Sequence, residues 1–507
     1  MKLKSLQTFP LYCLLLAIYP VLSVFSANQG QVSFEAVIRP LLISLIFCMV
    51  LMAILRLITK NWSQTGILTG VILLFFFTYG HIYTLVEDDS IIGWVFGRHR
   101  YLLVLWVIFL AAVIWFLLKR SWHYTSAARY LNIAALILVL IPSSLIISRT
   151  VSDNYSQPNP SLVAVQSSSD KDEVHPDIYY IILDAYGRHD ALLEKVDYDN
   201  SAFIQFLKDE NFYVASCSLS NHNHTQLSIA TSLNMNYLSE LPVSNFVRMG
   251  RVIKENAVRQ YLRSFGYKMV AFETGYSFTE VEDADIYYKP NQNNQSASSL
   301  LGGLTSFEIL FARTTILAAP MDLAVQKTQN IQGNNKRQIN LMIYDRLKRL
   351  PDLAGPKFVL AHITTTHPPF VFDANGNAVN LSYDTERATY NKRIYKAAYH
   401  DSLIYSDKQI RQVVETILAN SKTPPIIILQ GDHGPQQAGA PHQILNAYYF
   451  PDHDYRQLYQ SITPVNSFRV VLDHFFNADY PLLPDISYDS KFGDDQNFTP
   501  VEYPCNN

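Results

Sequence analysis

The stretch Ile426–Pro435, IIILQGDHGP, carries strand-type apolar residues into Gln430-Gly431 and then sets Asp432 and His433 side by side before a second glycine. On a strand, neighbouring side chains point to opposite faces. Past the strand end, with Gly431 and Gly434 free to take unusual backbone angles, a carboxylate and an imidazole can turn toward one point. A metal ion is the reading that uses both groups; a polar loop after a core strand is the alternative. Asp184 ends another apolar run, YYIILDAYGR, in the same way. Between them lies SNHNHTQLSIATSLN, Ser220–Asn234, where a polar, His-rich loop leads into a small-residue helix beginning near Thr225. A hydroxyl at a helix N-terminus sits beside free backbone N–H groups and the positive end of the helix dipole. That setting suits a nucleophile and the oxygens of a phosphate.

The elements that must position these residues alternate. Strand candidates begin at Pro176 and recur at Tyr267–Glu273, Lys357–Ile363, Pro425–Asp432 and Leu445–Phe450. Helical patterns fall between them at Ser201–Asn211, Ala257–Phe265, Ile339–Leu350 and Ala397–Ala419. Such alternation predicts an α/β domain with a mainly parallel sheet covered by helices, its chemistry beyond the carboxyl ends of the strands. Asp407, on the last of these helices, reads as a surface or capping residue, and Arg188 and His189 as a helix start that can also touch a phosphate.

The chain has 507 residues, of which 49% are hydrophobic and 16% charged, against ~25% charged in ordinary soluble proteins. The deficit is concentrated before residue 150. Five apolar segments, Phe9–Phe25, Ala36–Ile58, Gly66–Val86, Tyr101–Leu118 and Ala127–Ser148, approach the ~20 residues that cross a hydrocarbon core. The first is short and follows Lys2 and Lys4, so a cleaved signal peptide is the alternative there. Lys2, Lys4, Arg56, Lys60, Lys119, Arg120 and Arg129 flank one side, which the positive-inside rule makes cytoplasmic. Five crossings, or four after cleavage, then both deliver the remainder to the outside. The expected organisation is a transmembrane anchor over 1–149, a Ser/Asn/Asp/Pro-rich linker over 150–175 and an extracytoplasmic domain over 176–507, held at the plasma (inner) membrane. A net charge of −3 without a basic stripe gives no argument for nucleic acid. Cys217 and Cys505 fall in the outer domain, where a disulfide persists if geometry allows it. Nothing in the sequence sets an oligomeric state.

The order Asp184, Thr225 at a helix start, a His-Pro segment in TTTHPPF and Gly-Asp-His-Gly at 431–434 resembles the alkaline phosphatase and sulfatase superfamily. With its five-span anchor, the chain is similar to lipoteichoic acid synthases and lipid A phosphoethanolamine transferases. The resemblance implies that Asp184, Asp432 and His433 bind one divalent metal ion, and that Thr225 is both nucleophile and fourth ligand. It places His367 near the substrate and His442, in APHQILNAYYF, in the position of a further histidine. Either of these can hydrogen-bond phosphate oxygens or protonate a leaving alkoxide. A mostly oxygen donor set suits Zn²⁺ or Mn²⁺, and metal coordination is what makes a Thr hydroxyl a competent nucleophile.

Two departures separate the chain from the sulfatases. Asp184 is followed by Ala185 rather than a second acid, and Cys217 lacks the Pro and Arg that accompany a formylglycine precursor. With the five-span anchor, the resemblance implies phosphotransfer: a head group of phosphoethanolamine or phosphoglycerol type leaves a membrane phospholipid donor and passes through phospho-Thr225 to a cell-surface glycan or glycolipid acceptor. A hydrolase of phosphate or sulfate esters and a non-catalytic envelope-assembly partner are the alternatives. A reporter active only outside the cytoplasm, fused after Asn507, is expected to be active, and a cytoplasmic reporter there silent; the reverse pattern would contradict the assigned orientation.

Overall fold

The computed structural model describes residues 9–28, 34–87, 98–119, 125–155, 175–240, 246–290, 305–323, 325–379, 392–491, 497–503 and 505. The chain forms two compact units, one from residues 1–155 with 295–325 and one from 156–294 with 326–507.

The first unit holds helices α1 (Tyr12–Ala27), α2 (Glu35–Thr59), α3 (Trp62–Glu87), α4 (His99–Lys119) and α5 (Thr125–Tyr155). The last four are long and apolar enough to cross a membrane. Helix α1 has 16 residues and so rises about 24 Å, short of the ~30 Å hydrocarbon core. It is instead the inner helix of the unit: Cys13, Ala17 and Val21 are fully buried, while outward faces of α2, α4 and α5 leave leucines and isoleucines exposed as lipid-facing helices do. The start of the expected linker, Thr150–Tyr155, continues α5, and its residues 156–174 lie outside the described residues.

An excursion that the sequence reading did not anticipate joins this unit. Two short helices, Ser306–Arg313 and Ala318–Leu323, form an arm whose first turn is closed by a capping box between Thr305 and Glu308. Glu308 also pairs with Arg39 of α2, and Phe307 and Phe311 are buried. Phe76 and Gly80 of α3 offer a carbonyl and an N–H to the arm backbone, Ile316 donating to Phe76 at 2.8 Å and Gly80 to Thr314 at 3.1 Å. Only a glycine permits this approach, because a Cβ at position 80 would stand 2.0 Å from the Arg313 carbonyl oxygen.

The second unit is built on a seven-stranded sheet in the order β2-β7-β6-β1-β5-β3-β4. Its strands are β1 (Ile178–Leu183), β2 (Tyr213–Val214), β3 (Lys268–Phe272), β4 (Ile286–Tyr288), β5 (Lys357–Ile363), β6 (Ile426–Gly431) and β7 (Asn446–Tyr449). Five strands pair in parallel, and at one edge β7 runs against them, pairing antiparallel with both β6 and β2. Every residue of β1, β5 and β6 is buried, which is why these segments read as unbroken apolar runs rather than alternating ones. Tyr179, Ile181 and Leu183 pack on one face with α7 (Val325–Arg349) and α8 (Lys392–Asn420), residues Ile343, Leu347, Ile410 and Val414 among them. For this numbering, α6 is Thr225–Asn234 and α9 is Pro464–Phe476; both cover the other face, where Ile178, Tyr180 and Ile182 meet Leu227, Leu233, Phe468 and Val471. A separate two-stranded ladder joins β8 (Ser487–Asp489) to β9 (Thr499–Val501).

Asp407 is a correction to the sequence reading. It is buried on α8, where its two oxygens accept from Tyr186 at 2.7 Å and Tyr198 at 2.8 Å. Burial pushes its carboxyl up to about 7, with the two tyrosines and Arg411 working the other way. Between the ordinary carboxylate value of about 4 and the raised one, the folded chain keeps a proton that the unfolded chain has lost. This group's contribution to stability is thus full at low pH and lost as pH rises to about 7. Asp407→Asn is expected to flatten that part of the profile, measured as urea midpoints at several pH values; an unchanged slope would show that Asp407 is ionised throughout.

Candidate metal centre

Three adjacent strands end at one level. The register pairs Leu183 with Ile363 of β5 and with Gly431 of β6. The residues that follow, Asp184 and Asp432, therefore leave the sheet side by side, and His362 points from the last turn of β5 beside them. The Asp184 N–H donates to Ile363 at 3.0 Å, the Ala185 N–H donates to Asp432 Oδ1 at 3.0 Å, and Thr366 Oγ1 donates to the Asp184 carbonyl at 2.5 Å. Ala185 makes the turn with a positive φ of 61°, a region that costs a non-glycine residue. The glycines around Asp432 have a different role from the one expected: neither has a positive φ. A Cβ on Gly431 would stand 2.5 Å from the Tyr186 carbonyl oxygen, and one on Gly434 2.1 Å from that of Ala440. Their absent side chains let the two loops close on each other.

The donor atoms form two overlapping triads that share Asp184. Asp184, His362 and Asp432 can bring one ligand atom each within 4.8 Å of the others, and so can Asp184, His367 and His433. His433 Nδ1 donates to the Gly434 carbonyl at 2.8 Å, which leaves Nε2 as the lone-pair nitrogen, 3.5 Å from Asp184 Oδ1 and 3.8 Å from Asp432 Oδ2. His367 is fixed likewise, its Nδ1 2.6 Å from the Pro368 carbonyl and 3.3 Å from the Tyr276 hydroxyl. Tying up one ring nitrogen so that the other faces a cation is how metal-ligating histidines are oriented. His362 Nε2 lies 3.2 Å from Asp184 Oδ2 but off the line of a hydrogen bond.

Three buried atoms, Asp184 Oδ1, Asp432 Oδ2 and His362 Nε2, have no hydrogen-bond partner. Leaving buried polar atoms unpaired is costly, and a divalent cation would satisfy all three. The donor set, carboxylates with imidazoles, fits Zn²⁺ or Mn²⁺. Electrostatics agree: burial alone would raise the Asp184 carboxyl, but His367, His362 and His433 hold it well below the usual carboxylate range. Burial works to lower His433, and Asp432 and Asp184 reverse it, leaving it raised. Burial also brings the Lys336 ammonium down to about 7, with Asp184 opposing; its Nζ donates to the His367 carbonyl at 2.5 Å.

Thr225 is the first residue of α6, and His224, its N-cap, makes no side-chain capping bond, so the first turn keeps N–H groups for an anion. The approach to α6 is pinned from two sides. The Gln436 side chain, in the loop after His433, donates to the Asn223 carbonyl. Asn223 Nδ2 donates to the Ser490 carbonyl at 3.1 Å, and His224 Nε2 meets the same oxygen at 3.1 Å. Burial, then the charges of His433 and His442, lower His224.

His442 is placed differently from the role expected of it. Its Nε2 is 2.8 Å from Asp489 Oδ1, and its Nδ1 faces the Ser220 hydroxyl and carbonyl at 3.3 Å. With both nitrogens engaged it braces the loop before α6, and it belongs to neither triad. Arg188 is buried and structural, bonded to Asp190 at 2.6 and 2.7 Å and to the Ser218 carbonyl at 3.1 Å. Sequence reasoning missed His362, Lys336 and Tyr276. His362 carried the one available signal, a lone imidazole in an apolar strand, but its meaning depends on which strand lies alongside.

Comparison with known protein families matches residues 176–470 to the sulfatase family. The chain belongs to that family. A search of curated proteins gives no match. Among solved structures, the chain is similar to the C-terminal periplasmic domain of EptC from Escherichia coli in complex with Zn, at 12% identity and a TM-score of 0.41, covering 65% of this chain and 94% of that one. It is also similar to the integral membrane lipooligosaccharide phosphoethanolamine transferase A (EptA) from Neisseria meningitidis, at 11% identity and a TM-score of 0.39, covering 92% and 94%. Within a sulfatase-family site, Cys217 is the residue type that formylglycine chemistry would need, yet it is bonded to Cys505. In metal-stripped protein, Asp432→Asn and His362→Ala are each expected to lose roughly 10–100-fold in divalent-metal affinity, read by titration calorimetry. His442→Ala should leave that affinity unchanged, and a loss there equal to that of Asp432→Asn would redraw the ligand set.

Proposed function

We propose that this sulfatase-family protein is a membrane-anchored, metal-dependent phosphotransferase. The observation that carries the reading is the convergence of unpartnered Asp184, Asp432 and His362 atoms at the carboxyl ends of three strands, in a unit whose helix α6 begins with Thr225 and whose chain begins with apolar helices. The donor is a membrane phospholipid with a head group of phosphoethanolamine or phosphoglycerol type, and the acceptor is a hydroxyl of a cell-surface glycan or glycolipid.

The Thr225 hydroxyl gives up its proton and its oxygen attacks the phosphorus of the donor phosphodiester. A new oxygen–phosphorus bond forms, the bond to the diacylglycerol oxygen breaks, and that oxygen takes up a proton. The acceptor hydroxyl then attacks phospho-Thr225, gives up its proton and restores the threonine. The α6 N–H groups hold the non-bridging oxygens. His367, with Nδ1 tied to Pro368, keeps Nε2 for a proton or a phosphate oxygen. Lys336 adds a cationic group beside the same histidine. A divalent ion bound by Asp184, Asp432 and the histidines would supply charge that stabilises the transferring phosphoryl group and activates the hydroxyl. Sulfate-ester hydrolysis of the formylglycine type is disfavoured by the Cys217–Cys505 disulfide, and a non-catalytic role by the cost of keeping unpaired donors buried.

Thr225→Ala is expected to lower transfer on the order of 10³-fold or more, because the covalent route disappears, while Thr225→Ser retains part of it. Mass spectrometry of wild-type protein incubated with a phospholipid should find the added head-group mass on Thr225. An alanine variant of near-normal activity would exclude the covalent route, and head-group release at a rate indifferent to every acceptor would make the protein a hydrolase.

A further inference from the structure

The membrane unit contains a cleft of about 540 Å³, a volume in the range of small-molecule sites. It runs between α1 and α3, which lie side by side in the same direction: a Cβ on Gly66 would meet Pro10 and Tyr12, and one on Gly70 would meet Tyr12 and Leu16. The lining is graded. Leu16, Leu73 and Leu138 stand toward one end, and Asn28, His81 and Thr314 toward the other. From Leu16 to Asn28 the cleft follows α1 for about 18 Å at the helical rise, close to half of a ~30 Å hydrocarbon core. A mainly apolar channel as deep as one leaflet, crossed by the hydroxyls of Ser23 and Thr78 and with Asn28, His81 and Thr314 at its mouth, matches a single acyl chain whose ester end stays at the interface.

The mouth is on the side of the membrane where the arm docks. Leu310 and Thr314 of the arm line the cleft, and the arm lies, in sequence, between residues of the catalytic unit. The Gly80 N–H to Thr314 carbonyl bond holds this wall in place.

We propose that this cleft is a binding site for one acyl chain of a glycerophospholipid from the leaflet on the catalytic side. Its depth selects a leaflet-length chain, and Asn28, His81 and Thr314 receive the glycerol-ester region. The proposal extends the lipid-donor reading of the function but does not require Thr225 chemistry.

The test uses the full chain in detergent with a phosphatidylethanolamine that carries a photoactivatable group midway along one acyl chain. Crosslinks are expected on Leu16, Leu73, Leu74 and Leu310, and excess unlabelled phospholipid should abolish them. Thr78→Trp and Ser23→Phe, two independent ways of filling the cleft, should each reduce labelling at least several-fold while the Cys217–Cys505 bond and the elution volume report an intact fold. Thr225→Ala should label like the wild type, so failed transfer with preserved labelling would count against the functional reading alone. Labelling spread evenly over outward residues such as Ile46, Val107 and Ile133, uncompeted and unaffected by both filling variants, would mean bulk boundary lipid and overturn the site. Better competition by a polyprenyl phosphate than by phospholipid would overturn the assigned occupant.

Discussion

Asp184 and Asp432 emerge from neighbouring strands into a buried space, and two carboxylates so placed cannot both keep their charge without a compensating cation. Much of the surrounding architecture answers that constraint. One oxygen of Asp432 takes the Ala185 N–H. The remaining oxygens meet three imidazoles and feel the Lys336 ammonium, yet Asp184 Oδ1 and Asp432 Oδ2 still lack hydrogen bonds. The strand register creates the problem and the site at once, because a one-residue slip of β5 or β6 would send these side chains into the opposite face of the sheet.

The start of α6 is held in position by parts of the chain remote in sequence. Asn223 and His224 are bonded to Ser490, and His442 is held by Asp489 and Ser220. The Cys217–Cys505 disulfide closes a separation of 288 residues. Tyr503, near its far end, packs against the His442 ring with centroids 5.3 Å apart. The β8–β9 ladder and the disulfide therefore act as a brace on the loop that feeds Thr225. Ser218, Ser220, Asn221 and His222 of that loop are buried, so its geometry is set by these contacts.

Much of this was readable from the chain because strong local signals coincide with the site. The runs before Asp184 and Asp432 are uninterruptedly apolar, which marks central parallel strands, and the shift from SNHNH to small helix-forming residues locates the start of α6 at Thr225. His362 was not readable. Within KFVLAHI it looks like a histidine in a core strand, and only its pairing with Ile182 puts it beside Asp184. Asp407 misled for the related reason that its partners, Tyr186 and Tyr198, lie more than two hundred residues away. The arm was hidden by scale: SFEILFAR is too short to suggest a membrane element, and Glu308 finds Arg39 at a separation of 269 residues.

That arm makes the two units inseparable by a single cut. A chain severed after Tyr155 would lose the apolar helices but keep Phe307, Leu310 and Phe311, along with a Glu308 deprived of Arg39. Such a fragment would expose apolar side chains that are buried in the full chain, the kind of patch that drives association. A water-soluble form of the catalytic unit would need the arm excised and its flanks rejoined. The first 155 residues and the arm are thus one packing unit written in two places.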